Sequence, residues 1–506
     1  MMELQVKPLT MLNRILLLAL IAGGMLSVIW FSEFWFFSEA RRDPIWFPIL
    51  SIAIYWGIYR SLVNWILYYF ITPLENARDL GNLAKSIRVD VLTTAMPGEP
   101  YGMFEDSLAK IQQMTYPHRT FLLDGGNDPR LKSLCESLKI NHIDCTGIQG
   151  AKAGKVNYCL GHHSDAEFVF IMDPDHRPKP DLLERVLPHF KKANIGFVQV
   201  VQAYYNTEKS FVADAAAEQT FGFYGPTLMA LHGLGIPTAI GANCLFRRSA
   251  LDSIGGHAVH LAEDALTSMR LHAKGWQSAY LPYRGTDGLV PEDLASFFKQ
   301  QYKWATGMFY LFFREYPKLF KDFPWVARIH YFNAGTFYFG GLATLMILVL
   351  PIFFLFTKQY AVEFSLGEFL FHLLPYTCST VFTYWFLQRF YTHGKEKRVP
   401  WRSLVLEKGS WHIFVMALIS GVLNRRVEYI PTPKESDHRA MPKLVTPHLV
   451  AIALSFAALV FAFSTYYRID AGTWLMMFFA AMNILLLIPI SGIALFPQFN
   501  WRNLHD

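Results

Sequence analysis

The chain has 506 residues, of which 52% are apolar and 16% aromatic but only 17% charged. A soluble protein carries about 25% charged residues, so this chain cannot cover a fully water-facing surface, and its many Phe, Trp and Tyr residues exclude a disordered chain. The net charge of +6 comes from Lys and Arg gathered at the ends of apolar runs, which is a membrane-topology signal; no nucleic acid is expected as a partner. Cys135, Cys145, Cys159, Cys244 and Cys378 form no C-x-x-C pair and read as reduced thiols rather than a disulfide framework.

Apolar runs lie near 12–37, 45–72, 329–357, 367–391, 447–468 and 471–497, each close to the ~20 residues that a bilayer core requires. The first has no small-residue cleavage site and a second run follows at once, so it reads as a span and not as a signal peptide. Arg60 falls inside the second run, where a charge must face protein or a water-filled path. Basic loops follow the fourth run (Lys395, Lys397, Arg398, Arg402, Lys408) and precede the fifth (Arg425, Arg426, Lys434, Arg439, Lys443). Both are expected on the cytoplasmic side. The apolar stretch Trp411 to Leu423 between them cannot cross and is expected to lie in the membrane plane. Counting back places both termini and the polar block between the second and third runs in the cytoplasm. The expected organisation is two transmembrane helices in 1–75, a cytoplasmic α/β domain ending in interfacial helices in 76–328, and four transmembrane helices in 329–506 with an interfacial helix near 409–424.

Within the block, Val89–Thr94, Arg119–Asp124, a stretch from Ile140 to Cys145 and Glu167–Asp173 read as strands, with helices at 101–114 and 128–138 and another after a Gly-rich link. Strands alternating with helices imply a parallel sheet covered on both faces. Ligands bind such sheets at the carboxyl ends of the strands, which is where Asp124, Asp173 and Asp175 stand.

Four motifs carry chemistry, and each also has a plainer reading. Asp173-Pro174-Asp175 offers two carboxylates that can hold Mg2+ or Mn2+ against a diphosphate, or is a polar turn. Gly150 to Asn157 combines small residues, which let the backbone approach a ligand, with the cation of Lys152, or is a solvated basic loop. Asp264, in Leu261–Ala265, can take the proton of an attacking hydroxyl, or is an acidic helix start. In Gln300-Gln301-Tyr302-Lys303-Trp304 the indole can carry a sugar ring while Gln and Lys hydrogen-bond hydroxyls or phosphate, or the cluster is an interfacial aromatic belt.

Together and in this order, Asp124, Asp173-x-Asp175, Ala262-Glu263-Asp264 and Gln300-x-x-Lys303-Trp304 resemble the family 2 glycosyltransferases, specifically the processive membrane synthases of the cellulose synthase type. Gly241–Gly256, Trp304–Met308 and the gating-loop-like Tyr429-Ile-Pro-Thr432-Pro-Lys434 add to the resemblance. It implies a Rossmann-like GT-A domain set in an all-α bundle of about six transmembrane helices plus interfacial helices. It places Thr94, Glu99 and Asp124 around the uracil part of a UDP-sugar and Lys152 on the diphosphate. Asp173 and Asp175 would hold nucleotide and metal. Glu263 and Asp264 would be catalytic, with Asp264 the general base. Gln300, Lys303 and Trp304 would form the acceptor end, Gln300 and Lys303 also reaching the donor and Trp304 lying under the terminal sugar. Thr432 and Lys434, in a loop near 428–436, would close over the nucleotide.

The implied reaction is inverting transfer from UDP-glucose to the end of a growing β-glucan that leaves through the inner-membrane bundle, with an envelope partner subunit to receive it. Other UDP-sugars, as in chitin or hyaluronan synthases, and non-processive transfer to a lipid are the alternatives. Three departures point to a subgroup such as a β-1,3- or mixed-linkage glucan synthase. Lys303 replaces an Arg and so loses the planar fork of a guanidinium. The run Thr93–Pro100 differs around the base, and Ala262 replaces Thr. Few residues follow the last apolar run, so no cyclic-di-GMP-binding domain is expected in this chain.

Overall fold

The computed structural model describes residues 6–40, 42–75, 87–393, 396–425, 439–497 and 499. Eight strands form one sheet in the order β3-β2-β1-β4-β7-β6-β8-β5. β1 (Val89–Ala95), β2 (Arg119–Asp124), β3 (Asn141–Asp144) and β4 (Phe168–Met172) are mutually parallel. β1 and β4 are buried along their whole length, because helices cover both faces, and they read accordingly as near-continuous apolar runs.

The other half corrects the expectation of a parallel sheet. β7 (Cys244–Arg247) runs antiparallel to β4 and to β6 (Ile195–Tyr204), while β5 (Arg177–Pro178) runs antiparallel to β8 (Gln277–Gly288). β6 and β8 are parallel. β5 and β7 are two and four residues long, too short to leave a periodic signal. The reversal matters for the site. Because β7 is antiparallel, its leading loop, 238–243, lies at the same edge as the carboxyl ends of β1 and β4.

Among the described residues, five helices are long and apolar enough to cross a membrane, or six if the bent pair Trp401–Gly409 and Trp411–Val422 is one span: the five are Met11–Phe37, Trp46–Tyr68, Trp325–Thr357, Pro442–Thr465 and Ala471–Leu495. The remaining expected run folds as helix Leu366–Leu387. It is interrupted by His372, Thr377, Ser379, Thr380 and Thr383, and is less apolar than the other five. It lies along the first helix, with His372 stacked on Phe34 at 3.9 Å between ring centroids. The stretch expected in the membrane plane forms helix Trp411–Val422, bent by 46° from the preceding helix Trp401–Gly409. Helix Trp411–Val422 packs on helix Leu294–Tyr310, where Gly421 leaves room for Phe309: a Cβ at Gly421 would sit 2.7 Å from that side chain. The α/β block is seated on the bundle through two apolar clusters, one that includes Phe297, Phe309, Phe414 and Ile490 and one that joins Val201, Leu266 and Tyr280 to Ile58 and Phe354.

Candidate active site

The carboxyl ends of β1 and β4, the loop before β7, the start of helix Glu263–Ala273 and one face of helix Leu294–Tyr310 surround a cavity of about 610 Å3. Thr94, Glu99, Lys152, Asp173 and Asp175 line one end of it. Glu263, Asp264, Gln300, Lys303 and Trp304 line the middle. Ten residues singled out in the sequence therefore share one space, although 210 positions separate Thr94 from Trp304.

Asp173 and Asp175 stand on the turn that leaves β4. The N–H of His176 donates to the carbonyl of Asp173 (3.2 Å) and its ring Nδ1 lies 3.0 Å from an Asp175 oxygen. Asp173, Asp175 and His176 each bring a ligand atom within 4.8 Å of the others. The other ring nitrogen of His176 is buried with no hydrogen-bond partner, pressed against Gly288, where a Cβ would come within 2.4 Å of it. Two hard oxygens and an imidazole in one cluster suit a divalent cation of the Mg2+ or Mn2+ type. His176 was missed in the sequence. Its only signal was its place directly after the second Asp.

Lys152 is not on a loop. Gly150 (φ +95°) caps helix Ala151–His162, whose first two turns are the small-residue stretch. The close approach there is within the backbone itself: a Cβ at Gly154 would sit 1.8 Å from the carbonyl oxygen of Gln149. The helix buries Lys152, whose ammonium donates to Asp173 and to the carbonyl of Gly241. Burial alone would lower its pKa, but Asp173, Glu263 and Asp264 more than offset this and hold it above its ordinary value. Lys155, one turn on, is also buried and donates to the carbonyl of Ala95 (2.7 Å) at the end of β1.

Asp124 opens onto a neighbouring pocket of about 310 Å3 with Glu99, Tyr101 and Arg130. Its carboxylate accepts from the N–H groups of Gly126 (2.8 Å) and Asp128 (2.7 Å) and from Nε2 of His142 (3.0 Å). An ionised carboxylate only accepts, so that nitrogen carries the proton. Asp124 thus shapes the 124–128 turn, and His142 on β3 is a contact the sequence reading did not find. Glu99 borders both pockets and accepts from the N–H of Met96 (2.9 Å).

Glu263 and Asp264 occupy the first turn of their helix, so the plain reading of a helix start and the chemical reading coincide. Burial, with the adjacent Asp264 charge, pushes Glu263 up to about 7. Burial also raises Asp264, against the N–H of Ala265 that favours its ionised form. Gly241 approaches this carboxylate: it has φ +84°, and a Cβ there would lie 3.3 Å from an Asp264 oxygen. The buried amide of Gln199 on β6 clamps the same loop, accepting from the N–H of Ile240 (3.1 Å) and donating to the carbonyl of Ala242 (2.8 Å). No local pattern in the sequence betrays that clamp.

Gln300, Lys303 and Trp304 fall on one helix face at i, i+3 and i+4, and all three line the cavity. Gly307 lets the helix close on Ala262, since a Cβ at Gly307 would come within 3.0 Å of the Ala262 Cβ. Beyond Trp304 the cavity continues among the bundle helices to Arg60, Asn333 and Tyr338. Arg60 faces protein and this path, as a charge inside an apolar run must. It donates to the carbonyl of Asn333 (2.5 Å) and to its side-chain oxygen, and its guanidinium lies over Phe337 at 5.2 Å. Thr432 and Lys434 lie outside the described residues.

The chain is similar in sequence to cellulose synthases of several organisms. The cellulose synthase catalytic subunit (UDP-forming) of Pseudomonas fluorescens is 27% identical over 374 residues, covering 72% of this chain and 50% of that one. Cellulose synthase 1 of Komagataeibacter xylinus is 27% identical over 271 residues, covering 52% of this chain and 17% of that one. The chain spans half or less of the length of these curated relatives. Among solved structures, a mannosyltransferase from Pyrobaculum calidifontis, in complex with GDP-Man and Mn2+, aligns over 74% of this chain and 99% of its own with a TM-score of 0.49 and 14% identity. The family described as Glycosyl transferase family group 2 matches residues 168–488, from β4 into the last long helix. The mixed sheet with its strand-end carboxylates is a Rossmann-like GT-A domain, and the chain belongs to glycosyl transferase family group 2.

Proposed function

We propose that the protein is a processive inverting glycosyltransferase that builds a β-glucan from UDP-glucose at the cytoplasmic face and passes it into the membrane. The observation that carries this reading is the continuity of one cavity of about 610 Å3 from Asp173 and Asp175, past Asp264 and Trp304, to Arg60 and Asn333 among the apolar helices. A transferase acting on a small soluble acceptor has no need for a path that runs on into the bundle.

Asp124 and Glu99 border the uracil pocket, with Thr94 between that pocket and the diphosphate. Lys152 sets a fixed positive charge where the diphosphate rests. Asp173 and Asp175, with His176 beside them, would hold a divalent cation, which when bound offsets charge on the leaving diphosphate. Asp264 takes the proton from the acceptor hydroxyl as the new bond forms. Trp304 supports the terminal sugar by its apolar face, and Gln300 and Lys303 hydrogen-bond around it. Thr432 and Lys434 would close over the donor. The basic residues Lys397, Arg398, Arg402 and Lys408 support a cytoplasmic position for their side of the bundle.

The test is incorporation of labelled sugar in membrane vesicles supplied with UDP-glucose or UDP-N-acetylglucosamine and Mg2+ or Mn2+, followed by linkage-specific glucanase digestion. Polymer from UDP-glucose supports the reading, and the digest names the linkage. Polymer from the amino sugar alone overturns the assigned donor. A short lipid-linked product overturns processivity.

A further inference from the structure

The helix that carries Glu263 and Asp264 is tied at its other end to a span-length helix of the bundle. His272, one residue before its end, is almost wholly buried. Its Nδ1 lies 2.7 Å from the hydroxyl of Tyr331, and its Nε2 lies 2.9 Å from the hydroxyl of Ser278. Tyr331 belongs to helix Trp325–Gly335, the first part of a span-length helix. The hydroxyl of Ser278 donates to the carbonyl of Pro237 (2.7 Å). A serine has one proton to donate, so Ser278 accepts from Nε2–H of His272. The imidazole is neutral, because burial lowers its pKa to about 3. Nδ1 is therefore an acceptor, and Tyr331 donates to it. The bonds run one way, from Tyr331 through His272 and Ser278 to Pro237.

A second pair of ties runs beside this chain. Oγ1 of Thr238 lies 2.8 Å from Nε2 of His330, the neighbour of Tyr331. The N–H of Ala239 donates to the hydroxyl of Ser268 (2.9 Å), which itself donates to the carbonyl of Asp264 (2.9 Å). The loop that delivers Gly241 and the helix that delivers Asp264 are thus fastened to each other. Both are also fastened to two consecutive residues of one membrane helix. Two helix turns further along its sequence, that helix leads to Tyr338, which lines the same cavity.

We infer that His272 and Tyr331 are positioning residues that set Asp264 in register with an acceptor lying in the membrane path. The inference rests on the functional reading above, in which Asp264 acts on an acceptor held by the bundle. Tyr331 lines the cavity and His272 does not, and neither is among the residues assigned to the donor. Loosening this tie should therefore leave donor binding alone and misplace the base relative to the acceptor hydroxyl. A misplacement of about 1 Å can cost 100-fold in rate.

The experiment compares wild type with Tyr331→Phe, His272→Ala and His272→Gln in vesicles, using UDP-glucose with Mg2+. It measures polymer formed per UDP released, the KM for the donor, and inhibition by UDP. Wild type making polymer is the condition that upholds the underlying reading, and its failure to do so condemns that reading independently of the variants. The expected result is that Tyr331→Phe and His272→Ala lower kcat by about tenfold or more, with polymer per UDP released falling and donor KM held within about twofold. His272→Gln, which can still hydrogen-bond, should recover part of the loss. Tyr331→Phe is the mildest change and removes only one oxygen, so it keeps the test valid if His272→Ala fails to fold. A Tyr331→Phe enzyme with wild-type kcat and yield overturns the inference. So does a rise in donor KM that accounts for the whole loss.

Discussion

The two ends of the cavity are built by different means. At the strand-end side, charged groups are neutralised in advance by contacts fixed largely by backbone: Lys152 against Asp173 and the Gly241 carbonyl and, in the neighbouring pocket, Asp124 against the N–H groups of its own turn. At the bundle end, few polar groups stand in apolar walls. They are held by side chains reaching between helices, as Arg60 reaches Asn333 across 273 positions of sequence. A phosphate-bearing ligand requires charges that do not move. A chain of sugar hydroxyls requires spaced polar groups and an aromatic face along a path.

This contrast can be broken at defined points. Asp264→Asn attacks the junction and should have the largest effect, a loss of about 10²–10⁴ in kcat for removal of a general base, with UDP inhibition unchanged. Loss of UDP inhibition in that variant would place Asp264 at the donor end instead. Gly241→Ala should follow, because φ +84° and the 3.3 Å approach to Asp264 combine a strain of about 1–2 kcal/mol for a residue with a side chain with a displaced carboxylate. It should lower both melting temperature and kcat, and an unaltered enzyme would show that the loop relaxes freely.

Arg60→Leu acts only on the bundle end. It should lower polymer yield by about tenfold or more, since a hydrogen bond to a charged group contributes about 1.5–3 kcal/mol and ~1.4 kcal/mol is tenfold, while donor KM stays constant. A change confined to donor KM would erase the distinction between the ends. Glu263→Gln should have a milder effect, read in the pH profile. Asp264 must be ionised to accept a proton, so the rate rises with pH through its raised pKa. Burial is the main cause of that rise, whereas the Asp264 charge acts on Glu263, so the acid limb of kcat/KM against pH should stay in place. A limb that moves down would show that the Glu263 charge also bears on Asp264. Lys303→Arg should change least, by a few-fold at most, since both side chains are cationic and only the planar fork is gained.

The parts legible in the sequence were those with a local signature. β1 to β4, the long apolar runs and the acidic motifs announce themselves through periodicity and spacing. The parts that were not legible depend on partners far along the chain. Gln199 means nothing until Ile240 and Ala242 lie beside it. His142 acquires a role only through Asp124. Lys152 and Lys155 looked solvated because two lysines in a Gly-rich stretch usually are, yet the acidic site and the end of β1 draw both inward. β7 reversed the expected sheet because four residues carry no period. That reversal brings Gly241 to Lys152.

The contact of Gly307 with Ala262 has a consequence for anyone exchanging segments between such proteins. With 3.0 Å between the Ala262 Cβ and a Cβ built at Gly307, any side chain at 307 presses on Ala262 and so on the helix that bears Trp304. A chimera that brings in a helix with a larger residue at 307 therefore has to bring in the stretch around 262 with it, and the seam for such a graft lies outside 262–307.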